Sequence, residues 1–107
     1  MIFEIRTYEA AEGCAEALRS RFKLVASKLY PRHGIELLGA FLVPADDARL
    51  TYMTRFPDED TRKSAWAALL ADPEWAQIKA ASETNGPLLK SQSVSVLTPA
   101  IPGLLLG

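Results

Sequence analysis

Residues 2–8 alternate strictly between two kinds of side chain. Ile2, Glu4, Arg6 and Tyr8 fall on one side of an extended chain, and Phe3, Ile5 and Thr7 on the other. The alternation predicts a strand with one apolar face and one face that carries charge. Over residues 13–30 the period lengthens. Leu18, Phe22, Val25 and Leu29 recur at helical spacing, and Arg19, Arg21, Lys23 and Lys28 are expected to turn mainly outward. Pro31 and Gly34 close this helix, the proline by disfavouring the α conformation at Tyr30 and the glycine as a left-handed cap.

The run from Ile35 to Val43, interrupted by Glu36, reads as a central strand, and Pro44-Ala45-Asp46-Asp47 as a turn. Alternation returns over residues 49–56, with Leu50, Tyr52 and Phe56 against Arg49, Thr51 and Arg55, so the two strands are expected to form a hairpin. Pro57-Asp58 opens a second helix, capped by Asp58 or Asp60, whose buried stripe would be Ala65, Trp66, Leu69 and Leu70. Asp72-Pro73-Glu74 restarts a short third helix carrying Trp75 and Ile78: a cap, a proline at the first helical position and an acid in the first turn. Asn85-Gly86-Pro87 breaks that helix. Residues 91–98 alternate Val94 and Val96 against Ser91, Ser93 and Ser95, and form a last strand.

The predicted order is β-α-β-β-α-(α)-β, the split βαβ arrangement of an α+β, ferredoxin-like fold with a four-stranded antiparallel sheet. Helices cover one face of such a sheet. The other face holds Leu, Val, Phe or Met between charges and needs a cover, and the simplest cover is the sheet of a second copy, which closes a dimeric α+β barrel. Residues 1–100 are expected to form the domain, and 101–107 an apolar C-terminal tail bracketed by Pro99 and Pro102. That tail, Ile101 to Leu106, is expected to dock on the partner subunit as an arm.

Composition narrows the partners. A chain of 107 residues is one domain, long enough to bury about two-thirds of its unfolded surface in one core. Its net charge of −1 provides no basic field for a phosphate backbone, so nucleic acid is not an expected partner. Cys14 is the only cysteine, which excludes an internal disulfide and suits a reducing cytoplasm. Charges in Met1–Arg6 argue against a signal peptide, and no stretch approaches the ~20 apolar residues of a membrane span.

Four short motifs carry a resemblance. Glu4-Ile5-Arg6-Thr7-Tyr8 resembles the E-x-R-x-Y opening of NIPSNAP domains, and Arg32-His33-Gly34 their R-H-G. Asp72-Pro73-Glu74-Trp75 resembles their D-P-E-W, and Ser91-Gln92 their S-Q at the last strand. The spacing agrees from residue 2 to about 100, and Glu12-Gly13 departs from the family's frequent Pro-Gly. The resemblance implies a dimeric α+β barrel, in a superfamily that hosts cofactor-free monooxygenases, isomerases, haem proteins and plain binding modules. Fold does not carry activity across.

The candidate chemistry is sparse. Arg6 and Tyr8 share a strand face with Glu4; they either clamp an anion or carbonyl, or belong to a Glu4–Arg6 network with Glu36 or Arg55 that sets register. His33, the only histidine, is the candidate proton carrier, although a histidine at a helix C-terminus also simply bonds the last carbonyls. Tyr30, Arg55, Trp66 and Trp75 are candidate ligand contacts. One histidine and one cysteine supply no closed zinc site, no carboxylate spacing resembles a calcium loop, and nothing points to a cofactor. Two functions follow. One is a small-molecule-binding protein or cofactor-independent enzyme of isomerase or monooxygenase type, with Arg6 and Tyr8 orienting an oxyanion. The alternative is a non-catalytic dimeric module that binds a protein or metabolite. A cavity of about 300 Å³ or more with Tyr8 or His33 at its wall separates them.

Overall fold

The computed structural model describes residues 1–104. Eight segments follow one another: β1 (Ile2–Ala10), α1 (Ala15–Lys28), a 3-10 turn (Pro31–His33), β2 (Glu36–Val43), β3 (Asp46–Phe56), α2 (Glu59–Ala71), α3 (Pro73–Ser82) and β4 (Leu89–Leu97). The four strands make one antiparallel sheet in the order β2-β3-β1-β4, the ferredoxin-like topology.

Local chemistry sets the boundaries. Gly13 adopts φ +73°, a left-handed conformation that delays α1 to Ala15. Gly34 does the same after the 3-10 turn, at φ +73°. Asp58, and not Asp60, caps α2, accepting from the Thr61 amide at 2.8 Å. Asp72 caps α3, accepting from the Glu74 amide at 2.9 Å, with Pro73 at the first helical position. The hairpin turn is tighter than Pro44–Asp47, because Asp46 already pairs with Val43. β1 extends to Ala10, which pairs with Leu89 across a bulge after Glu9.

Register assigns the faces. Glu4, Arg6 and Tyr8 stand opposite Thr54, Tyr52 and Leu50, on the face under the helices. The core there is built on Val25 and Leu29 of α1, Tyr52 and Phe56 of β3, and Ala65 and Leu69 of α2, with Tyr30 and Ile35 between them. The opposite face carries Phe3, Ile5, Met53, Phe41 and Leu97 among hydroxyl side chains, including a Thr7–Thr51 hydrogen bond of 3.2 Å. No helix covers it. The ring of Phe41 lies over Gly39 and is 58% exposed.

Three expected placements are different in the folded chain. Arg21 is buried, since its guanidinium binds Glu83 at 2.7 Å and Ser82 at 3.2 Å across the turn that follows α3. Leu70 is 66% exposed, at the outer margin of the α2 stripe. Glu36 and Arg55 pair with each other on the uncovered face, so neither joins Glu4 and Arg6. Strand period explains the last result: Arg55 stands opposite Phe3, one residue out of step with Glu4. In the tail, Ile101 and Leu104 are exposed, and Leu105 and Leu106 lie outside the described residues. Among the described residues no helix is long and apolar enough to cross a membrane, and no three metal-binding side chains gather.

Candidate functional site

A cavity of about 470 Å³ opens between the three helices and the β1–β4 half of the sheet. Arg6 and Tyr8 of β1 and Leu89 and Gln92 of β4 form its floor. Phe22 and Val25 of α1, Trp66 of α2 and Trp75 of α3 form the walls, and Arg21, Lys79 and Glu83 stand on its rim. Both tryptophans of the chain therefore border one space.

The Arg6 side of the floor rests on a buried carboxylate. Glu4 is completely buried and carries five donors. Its Oε1 accepts from Arg6 Nε at 3.0 Å, Thr54 Oγ1 at 2.7 Å and Trp66 Nε1 at 3.0 Å. Its Oε2 accepts from Arg6 Nη2 at 2.9 Å and Arg62 Nη1 at 2.8 Å. Burial alone would raise the Glu4 pKa, but hydrogen bonds from Arg6, Thr54 and Arg62 outweigh it and hold the carboxyl at about 2. Arg62 is shared with Glu59, so two guanidiniums and two carboxylates neutralise one another under the helices. Arg6 also lies over the Trp66 ring, 3.9 Å from its centroid. Its Nη1 has no hydrogen-bond partner among the described residues.

The Tyr8 side is a hydroxyl chain. Tyr30 donates to Tyr52 at 3.4 Å, and Tyr52 donates to Tyr8 at 2.7 Å. These are all three tyrosines of the protein, and Phe22 packs among them, with ring centroids 4.7 Å from Tyr52 and 6.4 Å from Tyr8. Burial pushes the Tyr30 and Tyr52 phenols far up, so both stay protonated and donate. Tyr8 accepts at the end of the chain, and its hydroxyl is the one that borders the cavity with a donor left over.

Of the residues singled out from the sequence, Arg6, Tyr8, Tyr30, Trp66 and Trp75 line this cavity. His33 and Arg55 do not. His33 sits on the far side of the α1 C-terminus, where Nε2 meets Asp72 Oδ2 at 2.7 Å and Arg32 binds the same oxygen at 2.9 Å. The R-H-G and D-P-E-W motifs thus meet as a latch that ties the end of α1 to the cap of α3. Arg55 is held on the other face of the sheet by Glu36. Sequence reasoning missed Tyr52, Arg21, Lys79, Glu83, Phe22 and Gln92 as members of the site. The β1–β3 register would have revealed Tyr52, which stands directly opposite Arg6; the contacts made by the third helix leave no local signal.

Fold and site together define a ferredoxin-like α+β protein with a helix–sheet cavity over a buried carboxylate–guanidinium network. The NIPSNAP family model matches residues 3–101, and the chain belongs to that family. Among solved structures, a NIPSNAP family protein of unknown function from Agrobacterium tumefaciens shares 24% identity and a TM-score of 0.79, covering 99% of this chain and 94% of that one. An uncharacterized NIPSNAP domain protein from Burkholderia xenovorans shares 18% identity and a TM-score of 0.79, over 100% of both chains. A putative antibiotic biosynthesis monooxygenase from Nitrosomonas europaea is more distant, with 9% identity and a TM-score of 0.68 over 94% of this chain and 100% of that one. At these identities the likeness is one of fold. No curated protein matches the chain.

Proposed function

We propose that this protein is a homodimeric small-molecule-binding protein whose ligand occupies the cavity between helices and sheet. The observation that carries the reading is the cavity itself. Its volume of about 470 Å³ lies within the ~300–1,000 Å³ range of ligand sites. Its walls are mostly apolar and aromatic, with Arg6 and Tyr8 as convergent polar groups on the floor. Binding is favoured over catalysis because, among the described residues, no free base stands at this floor. Glu4 is saturated, Glu83 is engaged by Arg21, and His33 is engaged outside the cavity. The homodimer rests on the uncovered sheet face, where Phe41 and Leu97 are exposed beside Ile5 and Met53.

The test is a titration followed by tryptophan fluorescence, since Trp66 and Trp75 both border the cavity. A panel of small aromatic acids, amides and alcohols is expected to yield at least one saturable binder. Gln92→Phe, which pushes a ring into the floor from an edge strand, is expected to weaken that binder by about tenfold. No saturable response from any member, or binding indifferent to Gln92→Phe and to substitution of Trp66, would remove the cavity as the site.

A further inference from the structure

We infer that the cavity selects monoanionic ligands with an apolar or aromatic body, a carboxylate or an enolate, and that Arg6 and Tyr8 read the anion while Glu4 positions Arg6. This inference rests on the cavity being a ligand site. Arg6 and Tyr8 present hydrogens at its floor, and Gln92 beside them is neutral and carries both a donor and an acceptor. Arg6 turns Nε and Nη2 to Glu4 and leaves the hydrogens of Nη1 without an acceptor among the described residues. Tyr8 accepts a hydrogen bond from the Tyr52 hydroxyl at 2.7 Å and has its own hydrogen left to donate. An uncharged arginine is not available in a protein, so the guanidinium hydrogens persist at any working pH.

Glu4 does not compete for the ligand. Its two oxygens already take five donors, and three of those come from neutral groups or from Arg62, which spreads its charge away from Arg6. A ligand group placed at this floor therefore meets two donors converging from neighbouring positions of one strand face. A carboxylate offers two acceptor oxygens and no hydrogen, so both donors are satisfied. A primary amide of the same shape has no charge and one acceptor oxygen, so that oxygen serves both donors or the NH2 faces one of them in a half-enclosed, aromatic space. The Tyr30–Tyr52–Tyr8 chain sharpens the preference. Tyr30 donates to Tyr52 and Tyr52 to Tyr8, so the Tyr8 hydrogen is the positive end of a row of O–H dipoles. Arg6 held flat against Trp66 at 3.9 Å cannot swing away to follow a neutral ligand.

The probes are 3-phenylpropanoate and its neutral isostere 3-phenylpropanamide, titrated into the full chain with tryptophan fluorescence as readout. The carboxylate is expected to bind about tenfold or more tighter than the amide. Arg6→Gln is expected to bring the carboxylate down to about the affinity of the amide, and Arg6→Lys, which keeps the charge without the fork, to retain part of the advantage. Lys63→Gln, an exposed cation of α2 that does not line the cavity, is expected to change neither affinity. Circular dichroism of each variant confirms that the chain remains folded. Equal affinity of the two probes in the wild-type protein overturns the anion selectivity and leaves the cavity standing as a ligand site. Loss on Lys79→Gln, at the rim, in place of Arg6→Gln overturns the assignment to Arg6. Failure of both probes, in a protein that also ignores the wider panel, overturns the ligand site and this inference together.

Discussion

Glu4 shows how much one residue can organise. A carboxylate at zero exposure would be costly if left alone, and here five donors offset that cost. Removing its charge leaves Arg6 and Arg62 facing a neutral amide, so Glu4→Gln is expected to destabilise the fold by on the order of 3 kcal/mol, measured by chemical denaturation. The pH dependence has a definite sign. The folded pKa of Glu4 lies at about 2, below its ordinary 4.5, so its contribution is full above 4.5 and is lost as pH falls toward 2. Asp72, held at about 2 by the hydrogen bonds from His33, the Glu74 amide and Arg32, adds a loss of the same sign below its ordinary 3.8. The wild-type thermal midpoint should therefore fall between pH 5 and pH 2, and Glu4→Gln should fall less steeply. Parallel curves for the two proteins would deny Glu4 this role. The sequence showed Glu4, Arg6 and Tyr8 on one strand face, because period 2 is a local property. It did not show that this charged face turns toward the helices, since Arg62 and Trp66, which make that burial possible, lie on another element.

At the scale of elements, the junction of α1 and α3 is joined by charge. Asp72 caps α3 with Oδ1, and its Oδ2 takes His33 and Arg32, while Glu74 takes Arg32 at 3.0 Å and also Lys28. This latch positions Trp75 and Lys79 over the cavity. Asp72→Ala is expected to lower the thermal midpoint by about 4–8 °C, the shift expected of a lost helix cap in a domain of this size. His33→Ala, which leaves the cap in place, is expected to lower it less and to leave ligand affinity unchanged within about twofold, because the ring stands outside the cavity. A larger effect of His33→Ala on binding than on stability would return the histidine to the site. Both motifs were visible in the sequence, and the Asp72 cap with them, since capping is local; the end of α1 at Lys28 and the α conformation that Tyr30 keeps before Pro31, as it enters a 3-10 turn, depart from the expected helix over 13–30. Their contact was not visible, because residues 33 and 72 are brought together only by the way α1 and α2 lie across the sheet.

For the whole molecule, the uncovered face of the sheet governs assembly in the homodimer proposal, and that makes the proposal testable. Phe41 is 58% exposed, so Phe41→Asp should cost the isolated domain little, yet it places a charge in the proposed sheet-to-sheet contact. Native mass spectrometry is expected to show a dimer for the wild type and a monomer for Phe41→Asp, with circular dichroism unchanged; a wild-type monomer would end the proposal. The order of elements, the strand alternation, the cap at Asp72 and the breaks at Gly34 and Gly86 were determined by the sequence alone, because each depends on backbone conformation or side-chain period within a few residues, whereas at α2 the sequence offered Asp58 or Asp60 and the fold took Asp58. The tertiary structure decided what depends on register and packing between distant segments. It separated Glu36–Arg55 from Glu4–Arg6, buried Arg21 against Glu83, withdrew His33 from the cavity and brought Tyr8, Tyr30 and Tyr52 into one hydroxyl chain. A one-residue step along a strand inverts the face of a side chain, and no local pattern states which strand positions will stand opposite one another.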